Sequence, residues 1–194
     1  MIDVRVLTGA KLDASLDDVA RLRITVFREW PYLYDGDLGY ERKYLSAYRN
    51  NPAAVLIGAF DGNELVGAAT GAPMFDHANE FASAFKGLDW DLSQVFYCAE
   101  SILLKTYRGS GIGHRFFDLR EEHARAFGCQ KVAFCAVQRP VDHPLRPIDY
   151  RPLDAFWEKR GYRIVPDAIA NFSWKDIEVA HETPKPLQFW ARDL

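Results

Sequence analysis

The chain has 194 residues, 48% of them hydrophobic and 26% charged, which is ordinary for a globular domain with length enough for one substantial core. Its 24 basic and 27 acidic side chains leave a formal charge of −3 with no basic stripe, so nucleic acid is not an expected partner. No apolar run reaches the length of a membrane span, the start MIDVRVLTGAKLD reads as neither signal nor anchor, and three cysteines (Cys98, Cys129, Cys135) without CxxC spacing suit a reducing cytoplasm.

Taken in order, residues 1–7 alternate weakly and read as a first strand. Ser15 followed by Asp18 looks like a helix cap, and Val19, Leu22, Val26 and Trp30 continue as a helical stripe to Pro31. Residues 32–39, YLYDGDLG, form a loop; a second helix is expected over 40–49, broken by Asn50-Asn51-Pro52. Two strands, 53–60 and 65–70, flank an Asp-Gly turn as a hairpin. Residues 73–93 read as an insertion, with a short helix over 77–86. Then comes a buried strand, 95–104, carrying one charge, Glu100. A glycine-rich turn follows. The helix after it places Ile112, Phe116, Leu119 and Phe127 on its apolar face and Arg120, Glu121, Glu122 and Arg125 between them, stopping at Gly128. Residues 131–137 are a buried strand and 138–152 a long proline-containing connection. A short helix spans 153–160, and a strand starts at 162–165 and continues through 169–174. Thr183-Pro184-Lys185-Pro186 punctuates before a final edge strand at 187–191. With no shift in composition, 1–194 is read as one domain. The order β-α-α-β-β-β-α-β-α-β-β implies an α/β (α+β) fold: a central twisted mixed sheet with helices on both faces.

The turn Arg108-Gly109-Ser110-Gly111-Ile112-Gly113 presents bare amides at a helix N-terminus, an anion site best suited to phosphate. A GxxxxGK[ST] loop is absent. The dinucleotide pattern GxGxxG fails because Phe116 stands at its last glycine. A diphosphate held on the amides of Gly109 to Gly113 remains. Here Arg108-x-x-Gly111-x-Gly113 resembles the (Q/R)xxGx(G/A) acyl-CoA signature of the GNAT N-acetyltransferases. The segment Ala155-Phe156-Trp157-Glu158-Lys159-Arg160-Gly161-Tyr162 is similar to a second marker of that family, and the element order follows it from about residue 2 to 191.

The resemblance implies a GNAT-like acyl-CoA N-acyltransferase fold with acetyl-CoA as cosubstrate and no metal; the five histidines show no metal spacing. It implies a V-shaped cleft beside the strand end Ile102, Leu103 and Leu104, with the pantetheine arm lying there as an extra strand and Trp157 bordering it. A backbone amide near Leu103 would act as oxyanion hole for direct attack by an amine of a small molecule or peptide. That attack needs a base, and Glu100 is chosen on local chemistry: a buried carboxylate titrates higher and becomes a better base. A carboxylate paired with an arginine for structure is the alternative reading. The family's best-known base position corresponds to Tyr97. The usual acid, a tyrosine, is replaced by Trp157, whose indole cannot donate a proton to the thiolate; Tyr150 is the substitute, with Cys135 behind it. Tyr32, Tyr34, Asp35 and Tyr97 are expected to border the acceptor, whose amine the acids would attract. The alternative function is a non-catalytic acyl-CoA-binding or regulatory protein on the same scaffold, motivated by Trp157; an interaction module with a purely structural turn is a third. Pairing of two copies through the C-terminal strands is compatible with the sequence.

Overall fold

A computed structural model describes residues 1–49, 51–77, 81 and 83–194. Among these residues seven strands form one sheet: β1 (Asp3–Leu7), β2 (Val55–Asp61), β3 (Glu64–Pro73), β4 (Val95–Leu103), β5 (Lys131–Val137), β6 (Arg163–Lys175) and β7 (Glu182–Asp193). Their spatial order is β1-β2-β3-β4-β5-β7-β6. Among the described residues only β4 and β5 run parallel, and every other neighbouring pair is antiparallel. That single parallel pair needs a crossover, and helix α3 (Ile112–Ala126) supplies it. Helices α1 (Gly9–Phe27) and α2 (Leu38–Arg49) precede β2, and the short α4 (Asp154–Lys159) precedes β6. The expected order of elements is therefore the observed one.

Three buried clusters among the described residues hold the layers. On one face α3 buries Ile112, Phe116 and Phe117 against Ile57, Phe96, Val132 and Phe134. On the other, Leu16, Val19, Leu22 and Leu45 of α1 and α2 cover Leu56, Ala68 and Ile102. The remainder of that second face, over β4, β5 and β7, is covered by the segment between β3 and β4, whose Phe81 and Phe85 pack on Tyr97, Ala133 and Phe189. The helix expected over 77–86 and the break at Asn50 fall partly outside the described residues.

Several expectations need correction. Helix α1 starts at Gly9 with an extended Thr8 before it, because 9–14 contains good helix formers; Ser15 is interior and bonds back to the Lys11 carbonyl at 2.9 Å. It ends at Phe27, short of Pro31, and the next residues turn back on it, with the Tyr34 amide donating to the Phe27 carbonyl at 2.8 Å. Phe127 is half-exposed rather than core, while Arg120 and Glu121, expected on the solvent face, are buried. Strand β7 is not an edge: it lies between β5 and β6, and β6 is the edge. Its prolines sit where β7 extends past β5. The Pro186 carbonyl accepts from the Gln138 amide on that side, so its nitrogen, which has no proton to donate, also faces that side, past the last β5–β7 pair.

Candidate active site

The site is built on an interruption in the sheet. β4 and β5 pair only at Val95↔Lys131, Phe96↔Val132 and Tyr97↔Ala133. Beyond Tyr97, β4 follows β3 as far as Leu103, while β5 follows β7 as far as Val137. The strands fork, and each leaves backbone groups facing the gap.

A bulge controls what faces where. Ala69 pairs with Ser101 but Gly71 pairs with Cys98, so β4 carries one extra residue at Ala99–Glu100. The extra residue inverts the alternation. Tyr97, Glu100 and Ile102 thereby share the face of α1 and α2, whereas Phe96 and Cys98 face α3. Past the bulge, the Leu104 amide donates to the Val66 carbonyl at 3.0 Å. Alternation then directs the backbone of Ile102 to Ala68 and turns the amides of Ser101 and Leu103 into the fork. The Leu103 carbonyl accepts from Nε of Arg108 at 3.0 Å.

The fork opens onto the glycine turn. Gly109 (φ 79°) and Gly111 (φ 86°) hold left-handed conformations that a side chain resists, and a Cβ on either would meet no atom within 4 Å. Gly111 is the cap of α3 and no side chain caps it, so the amides that follow face outward. Gly113 approaches α4, its Cβ position being 3.7 Å from the Phe156 ring. Ser110 donates its hydroxyl proton to the Tyr107 carbonyl. Arg108 also pairs with Glu29 at 2.8 Å. Trp157 lies beneath β5, its ring 4.9 Å from Phe134 and 5.2 Å from Trp190.

On the opposite face Glu100 is 7% exposed. It forms an ion pair with Arg23 and accepts a hydrogen bond from the Thr70 hydroxyl. Arg23 pairs in turn with the fully buried Glu41, and its guanidinium lies 4.4 Å from the Tyr44 ring. Tyr34 bonds to Glu41 and titrates above the usual phenol range, through burial first and that carboxylate second. Tyr97 places its hydroxyl 3.3 Å from the Cys135 sulfur, just past the last β4–β5 pair. Burial, then the adjoining Cys135, pushes this phenol well above its ordinary value, and burial pushes the Cys135 thiol up to about 12. Burial first, and then the Cys135 thiol, raises the Tyr32 phenol above its ordinary range. Tyr150 is half-buried, its ring edge-on to Trp30 at 5.9 Å; burial and Asp154 raise its pKa. Asp35 pairs with Lys175 at 2.6 Å and Arg28 at 3.2 Å.

Sequence reasoning missed the residues that lock this arrangement. Arg139 holds Asp176 with two bonds of 2.8 and 2.9 Å and donates to the Pro31 and Tyr32 carbonyls at 2.9 and 2.7 Å. Trp174 donates to the same Tyr32 carbonyl at 3.0 Å. The α1–α2 loop is thus fastened to the β6–β7 hairpin. Between α2 and the turn Met74–His77 lies a cavity of about 410 Å³, bordered by Tyr40, Lys43, Tyr44, Tyr48, Ala72 and His77. Ala72 stands opposite Tyr97 in the sheet, so the cavity adjoins the fork strand. Nothing in a single sequence marks which helix faces converge here.

The same architecture recurs in solved structures. A ribosomal-protein-alanine N-acetyltransferase from Brucella melitensis aligns at 14% identity and TM-score 0.62, covering 99% of each chain. A Salmonella typhimurium protein solved with its cofactor acetyl-CoA aligns at 10% and 0.60, over 100% of this chain and 94% of that one. An N-acetyltransferase from Thermoplasma acidophilum in complex with coenzyme A aligns at 11% and 0.56, over 100% and 99%. At these identities the likeness shows the fold. No curated protein matches the chain at a significant level. The family model described as "Acetyltransferase (GNAT) family" matches residues 19–162, which takes in the fork, the glycine turn and α4, and the chain belongs to that family of acetyltransferases.

Proposed function

We propose that the protein transfers an acetyl group from acetyl-CoA directly to a primary amine of a small molecule or peptide. The observation that carries this reading is the continuity of two open backbone surfaces: the uncapped first turn of α3 and the Ser101 and Leu103 amides in the fork. The first suits a diphosphate and the second a pantetheine arm docked as a partial strand. An amide in the fork then faces the thioester oxygen as negative charge develops on it.

Glu100 serves as the base. Arg23, Glu41 and Glu100 together carry one positive and two negative charges, a surplus that favours an ammonium group and accepts its proton. The carbon–nitrogen bond forms as the carbon–sulfur bond breaks. A phenol, Tyr150 or Tyr97, returns a proton to the departing sulfur; both titrate above the usual phenol and stay protonated at neutral pH. The tyrosine-lined cavity beside Tyr97 supports an apolar or aromatic acceptor. Asp35, already shared by two cations, contributes to the rim and not to proton transfer. Three free cysteines fit a cytoplasmic setting.

A second reading, an acyl-CoA-binding protein without transfer, is favoured by the packing of Trp157 where the family tyrosine stands. Calorimetry with acetyl-CoA on wild type and Gly111→Trp tests the cradle: wild type binds and the variant does not. A thiol-release screen across amines then separates the readings. Acceptor-dependent release supports transfer; binding with only slow hydrolysis selects the second reading.

A further inference from the structure

Arg120 is the bulkiest fully buried side chain among the described residues, 1% exposed on α3. No carboxylate among the described residues pairs with it. Its donors reach neutral oxygens instead: Nε to the Phe116 carbonyl at 3.3 Å, Nη1 to the carbonyls of Thr70 at 3.3 Å and Glu100 at 2.9 Å, and Nη2 to the Ser101 hydroxyl at 2.7 Å. A buried charge without a counter-ion is costly, and an apolar side chain of similar volume would fill the space more cheaply. Packing therefore does not account for an arginine here.

What Arg120 grips is the bulge. The extra residue in β4 shifts the register at Thr70 and Glu100, and Nη1 donates to the carbonyls of both residues there. The Glu100 carbonyl belongs to the same peptide unit as the Ser101 N–H. In a trans peptide these point in opposite directions. The carbonyl faces β3 and Arg120, so the N–H faces the fork.

We propose that Arg120 is a positioning residue for acetyl transfer: by donating to the Glu100 carbonyl and the Ser101 hydroxyl it fixes the bulge and polarises the peptide between them, strengthening the Ser101 amide as donor to the thioester oxygen. The proposal rests on the acetyl-transfer reading above. A cationic donor on the carbonyl end of an amide strengthens its N–H end, and the effect is largest in a site from which water is excluded. The guanidinium keeps its protons throughout.

The test is infrared spectroscopy of acetyl-CoA labelled with carbon-13 at the thioester carbonyl, bound to wild type, Arg120→Lys and Arg120→Met. The carbonyl band moves to lower frequency on wild type, less on the lysine variant and least on the methionine variant. In the same order kcat falls, by about tenfold or more for Arg120→Met, while KM for acetyl-CoA stays within about twofold. A purely structural role lowers the melting temperature but leaves the band and the turnover per folded molecule unchanged; that result overturns the proposal. If Arg120→Met does not fold, Arg120→Lys with Ser101→Ala carries the comparison, and wild-type band positions in both overturn it equally. Failure of wild type to bind acetyl-CoA refutes the transfer reading itself, whereas binding with an unshifted band refutes only the role of Arg120.

Discussion

The triad of Arg23, Glu41 and Glu100 makes separable predictions for stability and catalysis. The side chain of Arg23 is 10% exposed, Glu41 0% and Glu100 7%. Arg23→Met strands two buried carboxylates, and breaking a buried pair from one side costs about 3–5 kcal/mol. For a chain of this size, each kcal/mol moves the melting temperature by about 2–4 °C, which gives a fall of roughly 6–20 °C. Glu100→Gln is milder. Its amide oxygen still accepts from Thr70 and Arg23 keeps Glu41, so the loss is that of one charge-assisted hydrogen bond, about 1.5–3 kcal/mol. Turnover behaves oppositely. Removing the base lowers kcat by about 10²–10⁴-fold, while calorimetric affinity for acetyl-CoA holds, because the carboxylate lies on the α1–α2 face and the diphosphate cradle at the start of α3. The double variant Arg23→Met/Glu100→Gln melts above Arg23→Met alone, since it removes one of the stranded charges. Additive melting shifts would refute the shared-counter-ion account. Full turnover in Glu100→Gln would refute Glu100 as base even if every stability value agreed.

Other outcomes follow from the same geometry. Ala47→Trp, on the exposed rim of the cavity, raises KM for the acceptor at least about tenfold with unchanged acetyl-CoA affinity; an unchanged acceptor KM places the acceptor elsewhere. Tyr97→Phe removes the hydroxyl beside Cys135 and lowers kcat with a small change in melting temperature; kcat equal to wild type leaves Tyr150 as the proton donor. Burial raises the pKa of Asp176, but Arg139 and Lys185 outweigh it and the net shift is downward. A carboxylate with a lowered folded pKa stabilises fully above its unfolded value, about 3.9, and that contribution disappears as the pH falls through the folded pKa. Acid unfolding monitored by circular dichroism therefore shows a wild-type increment below about pH 4 that Asp176→Asn lacks; identical acid limbs would remove Asp176 from the linkage.

How much of this was legible in the residues depends on the range of the interaction concerned. The glycine turn and the helix after it are local: the φ values of Gly109 and Gly111, the uncapped amides and the stop at Gly128 are fixed within a few residues of chain, and the sequence shows them directly. The hairpin and the order of elements are nearly as local. The arginines are not. Arg23, Arg120 and Arg139 carry no sign in their neighbours that they will be buried, because their partners, the Phe116 carbonyl beside Arg120 excepted, lie 18 to 108 positions away along the chain. Arg120 followed the helical period to the solvent side on paper. It enters the core at the bulge in β4, where its Nη1 reaches a carbonyl on each strand.

The same bulge explains why Glu100 was the hardest residue to place. Strict alternation along 95–104 puts residues 97 and 100 on opposite faces. Only the extra residue at Ala99–Glu100 returns the carboxylate to the face of Tyr97, Arg23 and the cavity, and it also leaves the Ser101 amide in the fork. The proposed acceptor face and oxyanion donor thus meet at one irregularity, with the Glu100 carboxylate on one side of it and the Ser101 amide on the other. A deletion of Ala99 would restore ordinary pairing with β3, leaving Glu100 on the face of Tyr97 but drawing the Thr70 and Glu100 carbonyls into the ladder and away from Arg120, and so lower transfer while the Gly109–Gly113 cradle still bound acetyl-CoA. A deletion variant that folds and transfers at the wild-type rate would show that the bulge orders neither group.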